Sequence, residues 1–214
     1  MMVFAHTDEM PHADAATDEW VFAVWLPDAS AGVIAGYRLL GRRSWYWFAF
    51  VEEGHPVLHM TEWDVVVRDD PFNFKAPEMW AGLHCDDPMK QWSFGNEGHF
   101  AALDDPDEGL GRAYGIPEPM SSDIEWYAIG GATPIEHGYE QIGVAHGLIE
   151  TLDRPNLEFD DVPAHRWRRW GSAFGPLQLP AVVAHTGLRA PFAFPDGTTI
   201  DWVLTKSGWR ERST

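Results

Sequence analysis

The sequence predicts an all-β protein made of two adjacent antiparallel β subdomains, with helices few and short. Three observations carry this reading. Short apolar or alternating runs recur with turn signals between them, the spacing of an all-β chain. No segment sustains the 3.6-residue apolar period of a helix. A Pro-, Gly- and Asp-rich break near the middle of the 214 residues divides the runs into two sets of similar size.

The elements follow in order. Residues 1–19 are polar and rich in Ala, His and Asp, and are expected to form a loosely ordered arm. The first subdomain, 20–103, contains runs at 20–26, 32–40, 45–51, 57–68, 79–85 and 90–100. Turns fall at Pro27-Asp28, Gly41, Glu53-Gly54 and Asp86-Asp87-Pro88. The run 45–51 is apolar on both faces, with Trp45, Trp47, Ala49 and Val51 opposite Tyr46, Phe48 and Phe50, so it should be covered on both sides. Residues 104–122 read as a linker or long loop. The second subdomain, 123–214, has runs at 124–129, 139–151, 157–159, 165–170, 180–186 and 200–206, with Pro195-Asp196-Gly197 as a hairpin turn between the last two.

Composition narrows the function. Hydrophobic residues make up 45% of the chain and aromatic residues 14%, including 12 Trp. Trp combines a large apolar area with one N–H that wants a partner, which suits pockets as well as cores. A formal charge of −18 without a basic stripe argues against nucleic acid and against anionic membrane surfaces. No run approaches the length of a membrane-spanning helix, so no membrane insertion is expected. Cys85 is the only cysteine and residues 1–8 lack the pattern of a secretory signal, so a cytoplasmic, reducing location is expected. Exposed strand edges leave the oligomeric state open.

Cofactor motifs are missing: no Gly-x-Gly-x-x-Gly after a strand, no phosphate loop, no His-Glu-x-x-His, no Cys pair and no Gly-x-Ser-x-Gly. No cofactor and no metal is therefore expected. His55 and His59 lie four apart, but a turn separates them where a metal pair would need a helix.

Three segments carry candidate chemistry. In 139–150, strand alternation places Glu140, Ile142, Val144, His146, Leu148 and Glu150 on one face. Tyr139, Gln141, Gly143, Ala145, Gly147 and Ile149 share the other, where three very small residues leave room for a packed aromatic ring or a ligand. An acid and an imidazole among aliphatic side chains is how acid–base pairs are tuned, burial raising the pKa of Glu140 and lowering that of His146. The plainer alternative is an edge strand with solvated carboxylates. In 57–67, His59 shares a face with Thr61 and Trp63, as a ligand contact or as a hydrogen-bonded core histidine. The only basic cluster, 165–171, sets His165, Trp167 and Arg169 against Arg166, Arg168 and Trp170. It serves either as a structural Arg–Trp network or as a site for a carboxylate or sulfate.

These residues also carry a resemblance. Trp80-Ala81-Gly82-Leu83-His84 followed by Pro88 and Trp92, Tyr139-Glu140-Gln141 with Gly143 and Gly147, and His165-Arg166 with Trp170-Gly171 resemble the two-part lipocalin-like family grouped with carotenoid 1,2-hydratase (hydroxyneurosporene synthase) and AttH-like proteins. Trp167, Arg168 and Arg169 stand where that family commonly has Asp-His-Ser. The resemblance implies two lipocalin-like barrels or half-barrels around an apolar cavity. It also implies hydration of isoprenoid double bonds, related cyclisations, or ligand binding without catalysis.

The expected function is binding of an apolar small molecule: a terpenoid, steroid, polyketide or acyl chain. Cofactor-free lyase, hydratase, cyclase or isomerase chemistry would use Glu140, His146 and Tyr139. Trp47, His59, Trp63, Trp126, Gln141, His165, Arg166 and Trp170 would contact the ligand. The alternatives are a non-catalytic carrier or accessory subunit, and an interaction module whose acidic surface docks a basic partner.

Overall fold

The computed structural model describes residues 4–111 and 113–213. The runs become strands β1 (Thr17–Trp25), β2 (Ala31–Leu40), β3 (Arg43–Glu52), β4 (Val57–Val66), β5 (Asn73–Ala76), β6 (Met79–Asp87) and β7 (Gln91–Leu103). After these come β8 (Ile116–Ala128), β9 (Thr133–Ile135), β10 (Gly138–Thr151), β11 (Leu157–Gly171), β12 (Ala181–Val183), β13 (Arg189–Ala193), β14 (Thr199–Thr205) and β15 (Gly208–Ser213). Among the described residues the helical pieces are two 3-10 turns, His6–Glu9 and Pro106–Leu110.

The protein is an all-β, barrel-like fold. Hydrogen bonding runs β4-β3-β2-β1-β11-β10-β8-β7, and β4 pairs with β7 again, closing the ring. The closure is short: Val57–His59 meet Ala101–Leu103, while Gln91–Gly98 of β7 bond instead to β6, which carries β5. The two stretches expected as separate halves meet in one ring, along the β1–β11 and β7–β8 seams. The expected linker 104–122 holds the second 3-10 turn and the first residues of β8. A smaller sheet, β12-β15-β14-β13, comes wholly from the last part of the chain. Pro195-Asp196-Gly197 turns β13 into β14 rather than joining 180–186 to 200–206.

The period-2 pattern of the ring strands explains why the small sheet sits where it does. Tyr46, Phe48 and Phe50 point into the ring with Trp20, Phe22, Trp92 and Trp126. Trp45, Trp47, Ala49 and Val51 point out, with Val21 and Ala23, and are covered by Phe192, Phe194, Trp202, Leu204 and Trp209. β3 is apolar on both faces because each face has its own core.

The arm 1–19 is expected to be loose, yet residues 17–19 open β1 and several others are tied to the ring; residues 1–3 lie outside the described residues. Glu9 has no exposed surface, and Arg168 donates to the carbonyls of Asp8 and Met10. The polarity that suggests a free arm instead supplies carboxylates for arginines buried at the ring's end.

One close approach in the ring gives a direct test. Gly36 faces Trp47 across the β2–β3 pair, and a Cβ there would fall 1.9 Å from the indole. Gly36→Ala is expected to destabilise the fold by about 1–3 kcal/mol, the usual cost of overpacking. Trp47→Leu in the same chain should recover part of that loss in a double-mutant cycle of denaturant unfolding. Strict additivity would mean that the ring contact is not the cause.

Candidate functional site

The interior of the ring is filled. Gly143 lets the Trp126 indole lie against the β10 backbone, where a Cβ would come within 2.5 Å of it, and Gly147 does the same for Phe159 at 2.8 Å. Of the two readings of the small-residue face, the packed aromatic is the observed one. Two voids beside this core hold about 10 Å³ each, roughly the space of one water.

Space for a ligand lies outside the ring, in a cleft of about 750 Å³ between the outer faces of β10 and β11, the loop 172–180 and the start of β15. Trp25, Trp167, Phe174 and Trp209 supply aromatic walls, with Ile142, Leu177 and Leu179 between them. Glu140, His165 and Arg210 are among its polar groups, together with Glu136, His137, Arg169, Gln178 and Ser207.

The local geometry follows from strand alternation. Glu140 on β10 pairs with Trp167 on β11, and His165 lies two residues before Trp167 on the same outward face. The Trp167 indole N–H donates to Glu140 Oε2 at 3.1 Å, and the His165 ring stacks on Trp167 at 4.1 Å. His165 Nε2 lies 3.2 Å from the same Oε2. It is buried and has no hydrogen-bond partner, so the approach is off the bonding direction and is an electrostatic contact. Burial pushes the His165 imidazole below its ordinary pKa and Arg210 adds to this, while Glu140 opposes them. The neutral form of the ring is therefore favoured. Arg210 bonds the Trp209 carbonyl at 2.8 Å and Ser207 Oγ at 3.4 Å. Among the described residues it forms no ion pair with a carboxylate.

The other candidates lie elsewhere. His146 shares the outward face of β10 with Glu140, but six residues of strand put about 20 Å between them. Its imidazole sits between Asp160 and Asp161 and meets Tyr127 edge-on at 5.2 Å. The strand therefore does not bring Glu140 and His146 together, and the imidazole beside Glu140 is that of His165. Tyr139 points inward, fully buried, and burial raises its phenol above the ordinary value, which makes it a poorer proton donor. Glu140 itself is corrected from a buried acid in an apolar cavity to a carboxylate one-third exposed at the cleft wall.

Of the proposed ligand contacts, His165 alone lines the cleft. Trp126 is ring core, and Trp47 and Trp63 pack on Phe194 beneath the small sheet, at 5.2 and 5.4 Å. Trp170 stacks on His12 at 4.7 Å. His59 bonds the Pro191 carbonyl at 2.9 Å and stacks on Phe192, the core role weighed above. Gln141 and Arg166 point inward and bond each other at 3.0 Å.

The aromatic wall was missed because Phe174, Leu177 and Leu179 sit in irregular backbone among Gly175, Pro176 and Pro180. Their spacing of apolar residues within a Gly/Pro loop was the available signal. No family model, curated protein or solved structure matches the chain. No helix among the described residues is long and apolar enough to cross a membrane.

Proposed function

We propose that this protein binds a small, largely apolar molecule in the outer cleft, with Glu140, His165 and Arg210 meeting its polar end. The observation that carries the reading is a carboxylate–imidazole pair set among aromatic rings in a cleft of about 750 Å³, a size and lining typical of small-molecule sites. The voids beside the ring core, among the described residues, hold only about 10 Å³ each. Terpenoids, steroids, polyketides and acyl chains fit this description, and the lipocalin-like resemblance supports the same ligand class. A second reading, cofactor-free proton transfer to or from that ligand, is favoured by the neutral His165 beside Glu140: a base and its charge partner in a partly dry site.

Tryptophan emission tests both the binding and its place. A ligand from these classes is expected to change it saturably, and Trp167→Phe should diminish the change while Trp126→Phe leaves it intact. Flat titrations across the panel sink the proposal, as does a response that depends on Trp126 and not on Trp167. For a ligand that is turned over, Glu140→Gln is expected to lower the rate by about two to four powers of ten with a small change in affinity. Unchanged turnover would remove Glu140 from the chemistry.

A further inference from the structure

A second dense set of polar contacts lies away from the cleft, at the end of the ring. We infer that the ring mouth beside Arg166 is a carboxylate-binding site, kept shut by the chain's own Glu9, and that it accepts a free monocarboxylate with a small apolar body.

Every donor belongs to the barrel. Arg166 on β11 gives two N–H groups to the Glu9 carboxylate, Nη1 at 2.8 Å and Nη2 at 2.5 Å. The Met89 backbone N–H, in the turn between β6 and β7, donates at 2.8 Å, and the Trp92 indole N–H on β7 at 3.1 Å. Gln141 holds the guanidinium from behind through its Oε1, and its own amide nitrogen donates to the carbonyl of Met89 at 3.2 Å. The fork of an arginine matches a planar carboxylate, and a buried donor set orients it before the anion arrives. Around the guanidinium stand the rings of Trp126 at 4.7 Å, Tyr139 at 5.4 Å and Trp92 at 5.9 Å. Such walls suit an apolar body and disfavour a second charge.

The acceptor, by contrast, comes from outside the ring. Glu9 ends a four-residue 3-10 turn that joins neither sheet, and it reaches Arg166 across 157 positions of sequence. The rest of the segment is held at the rim, by Arg168 on the Asp8 and Met10 carbonyls, by His12 on Asp18 and Trp170, and by Phe4 on Tyr139. A buried ion pair gives little net stability over an apolar pair of equal volume, so stability alone does not account for four converging donors. A pocket built to take an anion, with a tethered carboxylate in it, does.

The test uses the full chain and propionate as the probe. Glu9→Ala should melt well below the parent, and propionate should restore at least half of that loss saturably, with a change in tryptophan emission from the Trp92–Trp126 wall. Propionamide, of the same shape without the charge, should restore none. The charge-free pair Glu9→Gln with Arg166→Met should not respond to propionate, which separates a site from a general salt effect. Should Glu9→Ala fail to fold, Glu9→Gln keeps the volume, cannot neutralise Arg166, and is expected to show the same saturable recovery. Equal effects of propionate and propionamide, recovery without saturation, or a response of the charge-free pair would each overturn the assignment.

Discussion

Glu19→Gln is expected to destabilise the fold by about 3–5 kcal/mol, the cost of leaving buried charge without its partner. Glu19 is fully buried and serves two arginines at once: Oε2 accepts from Arg38 Nε at 2.8 Å, and Oε1 from Arg169 Nε at 2.7 Å. Both guanidiniums are themselves buried and also hold the carbonyl of Gly175, at 3.2 and 3.1 Å. Removing the single negative charge leaves two positive charges facing each other in a dry site. Burial pushes the carboxyl pKa up, but Arg169 and Arg38 together outweigh it and hold the net value below 4.5. The stabilisation is therefore present above that value and is lost as pH falls below it. Denaturant unfolding checks the magnitude, and Arg38→Met added to Glu19→Gln should return part of the loss. A loss under about 1 kcal/mol would place this triad among pairs of the surface kind. Because Phe174 and Gly175 line the cleft, the variant should weaken ligand binding as well.

Acidification should loosen the small sheet from the ring through His59. The Pro191 carbonyl can only accept, so Nε2 carries the proton and the neutral ring makes the contact. Burial drives the imidazole from 6.5 to about 4, with the Pro191 bond opposing it weakly. Between those values the unfolded chain binds a proton that the folded one does not, so stability is full above pH 6.5 and declines as pH falls toward 4. The span corresponds to about 3 kcal/mol at about 1.4 kcal/mol per pH unit. Carboxylates titrate at the lower end of this window, so the reference is His59→Gln, which keeps a donor but cannot charge. The parent's stability should fall more steeply than the variant's between pH 6.5 and 5. Parallel curves would show that His59 does not link the sheets to pH.

The ring strands were legible because each carries its period-2 pattern within a few residues, as in β3, where two rows of aromatics face two cores. The runs 157–159 and 165–170 are parts of one strand, β11, whose polar and Pro-containing middle, Asp160-Asp161-Val162-Pro163, interrupts the apolar pattern. In the structure the strand continues through it, with Asp161 at a φ of 52° and a register shift against β10 between Ala145 and Gly147. The predicted runs omit β5, β9, β13 and β15: the first two are only four and three residues long, and the others draw their order from packing on the ring rather than from a local pattern. Glu140 and His165 were legible as chemical types, Glu140 in an alternating strand and His165 in the basic cluster. Which face borders the cleft was not, because that depends on the loop 172–180 folding back, and on interior aromatics filling the space that Gly143 and Gly147 leave. The arm misled for a related reason: Glu9, Asp18 and Glu19 look solvated until arginines about 150 positions later are brought beside them.

That distance has a consequence during synthesis. β1 is made before the other strands of the ring, and one of its two edges is completed only by β11, with Glu19 and Arg168 separated by 149 positions. At about 5–20 residues per second, the emerging chain waits on the order of ten to thirty seconds with a Trp- and Phe-bearing edge unpaired. The carboxylates of Glu9, Asp14, Asp18 and Glu19 flank that edge. Until the arginines of β11 emerge from the ribosome, these charges repel neighbouring nascent chains of the same kind. Once they emerge, Glu9, Asp18 and Glu19 pair with them beside the β1–β11 seam, so a neutral arm would expose the half-made protein to aggregation well before it affected the finished one.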